Sequence, residues 1–281
     1  MANASGVFIT TLCDNIAGHG FKAEWGFALL IEANGKRILF DSGATSLVVE
    51  NARVNGIDLS HIDNIILSHG HMDHTGGLLA MLSQTGRTTV VAHPDIWEER
   101  YVLRPGKESP QSIGIPFSKE ELEKRGAVFV LSREPVSVTP NIITSGEIPM
   151  VSSYEHVEDS LQVIKSGVFI ADKLADDLSL IISTNSGLVV ILGCAHRGVV
   201  NTLFHARKLT GISRVAAVIG GMHLLQASDE RIRRTITDLK AMEVQRLVVS
   251  HCTGFRAATQ LSMAFEASFI MNCAGAQLVL P

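Results

Sequence analysis

Apolar runs alternate with polar turns along this chain, and their spacing separates strands from helices. Val7–Leu12, Phe27–Ile31 and Lys36–Phe40 are short strand-like runs, the last two joined by Asn34-Gly35, a strong hairpin signal. The chain is therefore expected to open as antiparallel strands. Ser46–Asn55 then carries apolar residues at helical spacing (Leu47, Val48, Val54) and stops at Gly56, after which Asn64–Leu67 reads as a buried strand. A second helix is expected over Leu78–Ser83, a strand over Thr88–Ala92, and a helix start near Pro94.

From about Arg100 to Glu158 the pattern is richer in Pro, Gly and charge, with one clear helix start where Ser118 and Glu121 form a capping box. This stretch reads as an insertion with lid-like loops. Its first part, Arg100–Pro116, holds Pro105, Pro110 and Pro116 and the cations Arg104 and Lys107, a constrained loop able to close on an anion. Regular order returns with strands at Leu178–Ser183 and Leu188–Leu192, a helix at Val199–Leu209 and a strand at Arg214–Ile219. Then come a helix at Ser228–Ala241, a strand at Arg246–Val249, a helix at Ala257–Ala267 and a closing strand at Gln277–Leu280. Two halves, each moving from strands to strand and helix units, predict two packed sheets with helices outside, within one domain spanning residues 1–281.

Composition narrows the function classes. Hydrophobic residues make up 46% of the chain and charged residues 19%, enough apolar material for a large core. With net charge -4 and no block of Lys and Arg longer than two, the footprint of a nucleic-acid binder is missing. Apolar runs such as Leu188–Leu192 are far short of the roughly 20 residues that span a bilayer, so no membrane helix is expected. Met1–Ser5 lacks basic residues, and the following apolar run is broken by Thr10 and Thr11, unlike a secretory signal. Cys13, Cys194, Cys252 and Cys273 show no paired spacing, so disulfides are not expected and the cytoplasm is.

The densest chemistry is Ser68-His69-Gly70-His71-Met72-Asp73-His74, immediately after the apolar Ile65-Ile66-Leu67. Imidazole and carboxylate are the donors that zinc and similar borderline ions prefer. Four ligands in so short a turn point in two directions, and two adjacent ions resolve this: His69 and His71 for one, Asp73 and His74 for the other. Histidines also stand just beyond apolar strands in Gly193-Cys194-Ala195-His196 and Ser250-His251-Cys252-Thr253-Gly254, and a double glycine precedes His223. For His223, ligand, substrate donor and packed core residue all remain open. His19, His61, His93, His156 and His205 lack ligand spacing and receive no role. Asp172, Asp176 and Asp177 read as a solvated turn, with Asp177 within reach of the site.

His-x-His-x-Asp-His after a buried strand resembles the signature of the metallo-β-lactamase superfamily. Ile38-Leu39-Phe40-Asp41-Ser42-Gly43 is similar to its strand-end aspartate, and the likeness spans nearly the whole chain. Within that superfamily, several segments resemble the dihydropterin ribofuranosyl-aminobenzene phosphate synthases. They are Gly193-Cys194-Ala195-His196-Arg197-Gly198-Val199-Val200-Asn201-Thr202, Gly220-Gly221-Met222-His223-Leu224, His251-Cys252-Thr253-Gly254 and Gly146-Glu147-Ile148-Pro149. Two places depart from that group. Trp25 precedes Gly26 where a histidine is expected, and Met150 follows Pro149 where a basic residue is expected.

The resemblance implies an α/β (α+β) chain folded as a four-layer αββα sandwich. It implies a first ion on His69, His71 and His196, and a second on Asp73, His74 and His251, with Asp41 orienting the histidine loop. The ions are expected to be zinc, with manganese or iron as alternatives. Cys194 stands where many relatives carry a bridging aspartate; it is either a neighbour of the ions, then joined mainly by water or hydroxide, or an ordinary buried residue. Asp73 and His223 are the candidate catalytic groups, and Arg197, Arg104 and Lys107 are candidates to pair with phosphate. The implied activity is dinuclear metal-dependent hydrolysis, or transfer in which an arylamine displaces diphosphate from a pterin methyl diphosphate. The substrate is then a small molecule, with phosphate as a candidate group. A metal-dependent sensor without turnover is a second class; an iron redox protein is a third, although such relatives carry Glu where this chain has His71.

Overall fold

Alternation along single strands shows how the two sheets come together. In Ser179–Thr184 and Gly187–Leu192, Leu180, Ile182, Val189 and Ile191 face one core while Ile181, Leu188, Val190 and Leu192 face another. Such period-two side-chain placement gives a sheet two apolar faces only when both are covered. The computed structural model, which describes residues 6–104, 106–107 and 109–280, supplies both covers.

One seven-stranded sheet runs Gln277–Leu280, Val7–Cys13, Ala28–Ala33, Lys36–Phe40, Asn64–Ile66, Thr88–Ala92 and Ala127–Leu131 from edge to edge. The other runs Phe269–Met271, Leu247–Val249, Val215–Gly220, Gly187–Leu192, Ser179–Thr184, Ile142–Thr144 and Ser137–Thr139. Ile9, Leu29, Ile31, Ile38 and Phe40 of the first pack against Leu180, Ile182, Val189, Ile191 and Ile219 of the second, forming a dry inter-sheet core. On the outside of the first sheet lie helices Leu47–Val54, Leu78–Thr85 and Lys119–Lys124. Val199–Thr210, Asp229–Ala241 and Phe255–Phe265 cover the second. This is the αββα sandwich.

The helix Asp229–Ala241 shows why these segments dock. Ile232, Thr235, Ile236 and Leu239 repeat at helical spacing on its sheet-facing side, while Ser228 accepts from the Arg231 backbone N–H and caps its start. Full burial of an Ile or Leu contributes about 1.5–3 kcal/mol. The capping box is present as expected, with Ser118 Oγ accepting from Glu121 N–H at 3.2 Å and Glu121 accepting from Ser118 N–H at 2.8 Å.

The stretch read as a lid-like insertion over about 100–158 divides into two kinds of structure. Ala127–Leu131 and Ser137–Thr139 are edge strands of the two main sheets, and Ile142–Thr144 lies one strand in from the edge. Arg100–Val102 and Gln111–Ser112 join Leu161–Lys165 and Val168–Ala171 in a separate four-stranded sheet. Edge strands are half exposed and alternate weakly, which hides them among charged and turn residues. Met1–Ser5 and Pro105 lie outside the described residues. No helix among the described residues is long and apolar enough to cross a membrane.

Candidate metal centre

Parallel strands of both sheets end at the same rim of the sandwich, and every residue of the cluster stands at or just past such an end. Lys36–Phe40 delivers Asp41 and Asn64–Ile66 delivers the loop from Ser68 to His74; from the other sheet, three successive parallel strands deliver Cys194 and His196, His223, and His251. Asp41, Ala195, His223 and His251 all adopt positive φ (59°, 52°, 46° and 51°), so the chain turns sharply at each strand end. Such conformations cost about 1–3 kcal/mol each and cluster where surrounding structure fixes a functional geometry. Gly70 must be glycine, since a β-carbon there would collide with the Ile96 carbonyl and the Arg100 guanidinium.

The sequence-predicted ligands converge as two triads. His69 Nε2 lies 3.0 Å from His71 Nδ1 and 3.3 Å from His196 Nε2. His251 Nε2 lies 3.3 Å from His74 Nε2 and 3.3 Å from Asp73 Oδ2, which is 3.8 Å from His74 Nε2. Nitrogens bound at about 2.0–2.1 Å to one tetrahedral ion stand roughly 3.3 Å apart, so these spacings fit a common cation better than they fit mutual hydrogen bonds.

Hydrogen bonding settles which ring nitrogen is free to bind. The Asp41 carboxylate can only accept. It takes the Ser68 N–H on Oδ1, and the Ser68 hydroxyl and His74 Nδ1–H on Oδ2, each at 2.7 Å. With its proton so used, Ser68 Oγ accepts His69 Nδ1–H at 2.9 Å, leaving the His69 Nε2 lone pair facing the cluster. Asn15 Oδ1 does the same for His251, 3.0 Å from its Nδ1. These outer partners fix tautomer and orientation before any ion arrives. Buried His71 Nε2 and His196 Nδ1 have no partner among the described residues.

Electrostatics agree with a cation-binding role. Burial drives His69, His71 and His196 well below the ordinary imidazole range, keeping them neutral and able to donate a lone pair. Burial opposes charge on Asp73 as well, yet His74 and His251 hold it below the usual carboxylate range. At His74 burial is outweighed by Asp41 and Asp73, which raise it to about 9. A potential that favours a proton there also favours a metal ion competing for the same lone pair.

His223 joins neither triad. Its ring lies 4.0 Å from that of His196, its Nε2 is 3.4 Å from Glu158 Oε1, and its buried Nδ1 has no partner among the described residues. Burial opposes its charge, but Cys252 and Glu158 raise it to about 10, which suits a cationic donor facing an anion. Cys194, by contrast, sits among the ligand atoms of both triads: its sulfur is 3.1 Å from His74 Nε2 and groups with His69 and His196 on one side and His74 and His251 on the other. All four cysteines are unpaired.

One expectation needs correction. Asp172, Asp176 and Asp177 are not a solvated turn, since all three are buried. Arg100, itself 2% exposed, donates to Asp172 and Asp176 at 2.8 Å each, and Asp176 Oδ2 accepts from Gly70 N–H at 2.8 Å, tying the histidine loop to the small sheet. Burial lifts Asp177 to about 7 while one oxygen accepts the Arg197 N–H. Arg197 donates from Nε to the Ile148 carbonyl and from Nη1 to the Lys173 carbonyl, joining two loops beside the site. Arg104 and Lys107 are exposed. The parts of Ser68, Asn15 and Arg100 went unread in the sequence; only Ser68, beside a ligand candidate, carries a local signal.

A four-layer αββα sandwich with a histidine cluster on converging strand ends defines a class, and residues 26–157 match the metallo-β-lactamase superfamily model. The chain belongs to the metallo-β-lactamase superfamily. Within it, the chain is similar to the 7,8-dihydropterin-6-methyl-4-(β-D-ribofuranosyl)-aminobenzene-5'-phosphate synthase of Methanocaldococcus jannaschii, 36% identical over 272 residues that cover 93% of this chain and 92% of that protein. A second, uncharacterized protein of the same archaeon is 35% identical, covering 90% of this chain and 93% of its own length. A solved metal-dependent hydrolase of the β-lactamase superfamily superimposes with a TM-score of 0.82 at 29% identity, covering 97% and 98% of the two chains. The superfamily is one of enzymes that bind divalent metals, and the His and Cys groupings at this rim could hold such an ion.

Proposed function

We propose that this chain is a dinuclear metal-dependent enzyme that joins an arylamine to a pterin methyl diphosphate with release of diphosphate. The carrying observation is the convergence of His69, His71 and His196 on one point and of Asp73, His74 and His251 on a second beside it. Zinc suits this nitrogen-rich set, with manganese or iron as alternatives. Ions held by these two triads would supply Lewis acidity to the oxygens of a leaving phosphate.

The chain's own groups then divide the task. The arylamine nitrogen forms its bond to the methylene carbon as the bond from that carbon to the diphosphate oxygen breaks, and the resulting arylammonium is acidic enough to release its proton to water. His223, held by Glu158 on the His196 side, donates to the departing anion. Trp25, 53% exposed and with its ring 5.1 Å from that of His251, offers the opposite flank of the cluster a face on which a planar ring can stack. Asp73 is fixed as a charged ligand by His74 and His251, so its part is positioning.

Hydrolysis is the second reading, favoured by the close superposition on a solved metal-dependent hydrolase. The test uses protein purified without chelators, assayed for diphosphate release from a pterin methyl diphosphate with and without an arylamine. Release that requires the amine supports transfer. Release without it, or turnover of phosphodiester or thioester instead, supports hydrolysis, and no turnover of any of these would leave a metal-binding sensor.

A further inference from the structure

We infer that Cys194 is a thiolate ligand shared by both metal ions, an inference that rests on the two-ion reading above. Its sulfur occupies the seam between the triads, 3.1 Å from His74 Nε2 and in a ligand grouping with each pair of histidines, His69 with His196 and His74 with His251. It is 2% exposed, at the end of strand Gly187–Leu192, whose backbone cannot shift without displacing Gly193 from its packing against Ser68 and Asp41.

The neighbouring Cys252 offers a contrast. Its sulfur accepts the His223 backbone N–H at 3.3 Å and lies 3.5 Å from the Cys194 carbonyl, and it groups with Cys194 and His223 alone, whereas the Cys194 sulfur lies 3.1 Å from His74 Nε2 and groups with the histidines of both triads. A thiol buried beside four ligand imidazoles is a poor use of space for packing alone, yet a sulfur anion there offsets the charge of two cations together with Asp73. Ion binding forms the sulfur–metal bonds and releases the thiol proton to buffer, one proton per cysteine. A soft bridging donor selects cobalt, zinc or iron over manganese or magnesium.

Two loadings of the full chain test this. With Co(II), two ions per chain and a near-ultraviolet sulfur-to-cobalt charge-transfer band are expected, the band being lost in C194D and C194S and kept in C252S. With ¹¹³Cd, two resonances are expected, both at the low field that a thiolate ligand imposes, a result that needs no variant to fold. Two bound ions without the band, a band that survives C194D, or only one cadmium resonance at thiolate field would overturn the shared thiolate. A wild-type stoichiometry of one ion would instead fail the two-ion reading, and that count is made independently of the band.

Discussion

The two sheets furnish the proposed metal centre in opposite ways. The first gives four residues, His69, His71, Asp73 and His74, from a single loop after one strand; the second gives one histidine at each of three strand ends. The loop is a local device, with Gly70 allowing its tight course and a four-residue helix, Met72–Thr75, setting Asp73 and His74. The strand-end set is assembled only by sheet pairing, with the parallel strands holding His196, His223 and His251 in register. Each triad takes two ligands from the loop and one from the opposite sheet, so neither half can close a site alone.

That division predicts unequal consequences of mutation. The largest should follow removal of a loop ligand. His71→Ala and Asp73→Ala are each expected to abolish turnover and lower metal content from about two ions per chain, while circular dichroism stays native because the inter-sheet core is untouched. Full occupancy of both ions in both variants would show that the loop is not the metal donor. Next in size is Arg100→Ala, which removes the buried partner of Asp172 and Asp176 behind the loop. Stranding buried carboxylates costs about 3–5 kcal/mol in denaturant unfolding. Burial already raises Asp176, so without Arg100 this carboxylate gains a proton on folding; the deficit should be greatest near neutral pH and shrink as pH falls.

The strand-end side is sharpened by His223→Ala. It should keep both ions, since His223 lies outside both triads, yet lower kcat on the order of 10²-fold. Loss of a whole metal equivalent would move His223 into the ligand set. Asp41→Asn probes how the loop is braced, because it weakens the acceptor that orients His69 through Ser68 and holds His74 directly. Metal affinity should drop roughly 10–100-fold, read by competition with a chromogenic chelator. Smallest is the Arg104→Ala/Lys107→Ala pair on the exposed segment: KM for a phosphorylated substrate should rise a few fold at low salt and the effect should fade as salt screens it. An equal rise on a neutral ester would remove any role in anion capture.

The same contrast explains what the sequence could tell. The loop's four proposed ligands lie within six positions, so their chemistry is legible without a fold, and the main strands and helices follow from strict periodicity. His196 and His251 are recognisable only because each follows an apolar run and the resemblance supplies a place for them. Arg100 and Asp176 are brought together by the small sheet, 76 residues apart, and nothing local distinguishes Arg100 from Arg104. Asn15 meets His251 across 236 residues, just past the ends of strands Val7–Cys13 and Leu247–Val249 in different sheets, beyond any window of periodicity. Short edge strands such as Ala127–Leu131 were obscured because half of each faces solvent.

The sequence separation between loop and strand ends also has a meaning in time. His69 leaves the ribosome 127 residues before His196, and His74 precedes His251 by 177. At about 5–20 residues per second, roughly 6–25 s pass before His196 can complete the first triad and roughly 9–35 s before His251 can complete the second, while the four loop donors are already present on the nascent chain. On the two-ion reading, the metal that finally occupies the centre is therefore chosen by the finished protein: whatever the unfinished loop picks up must be surrendered or kept according to ligands that arrive last.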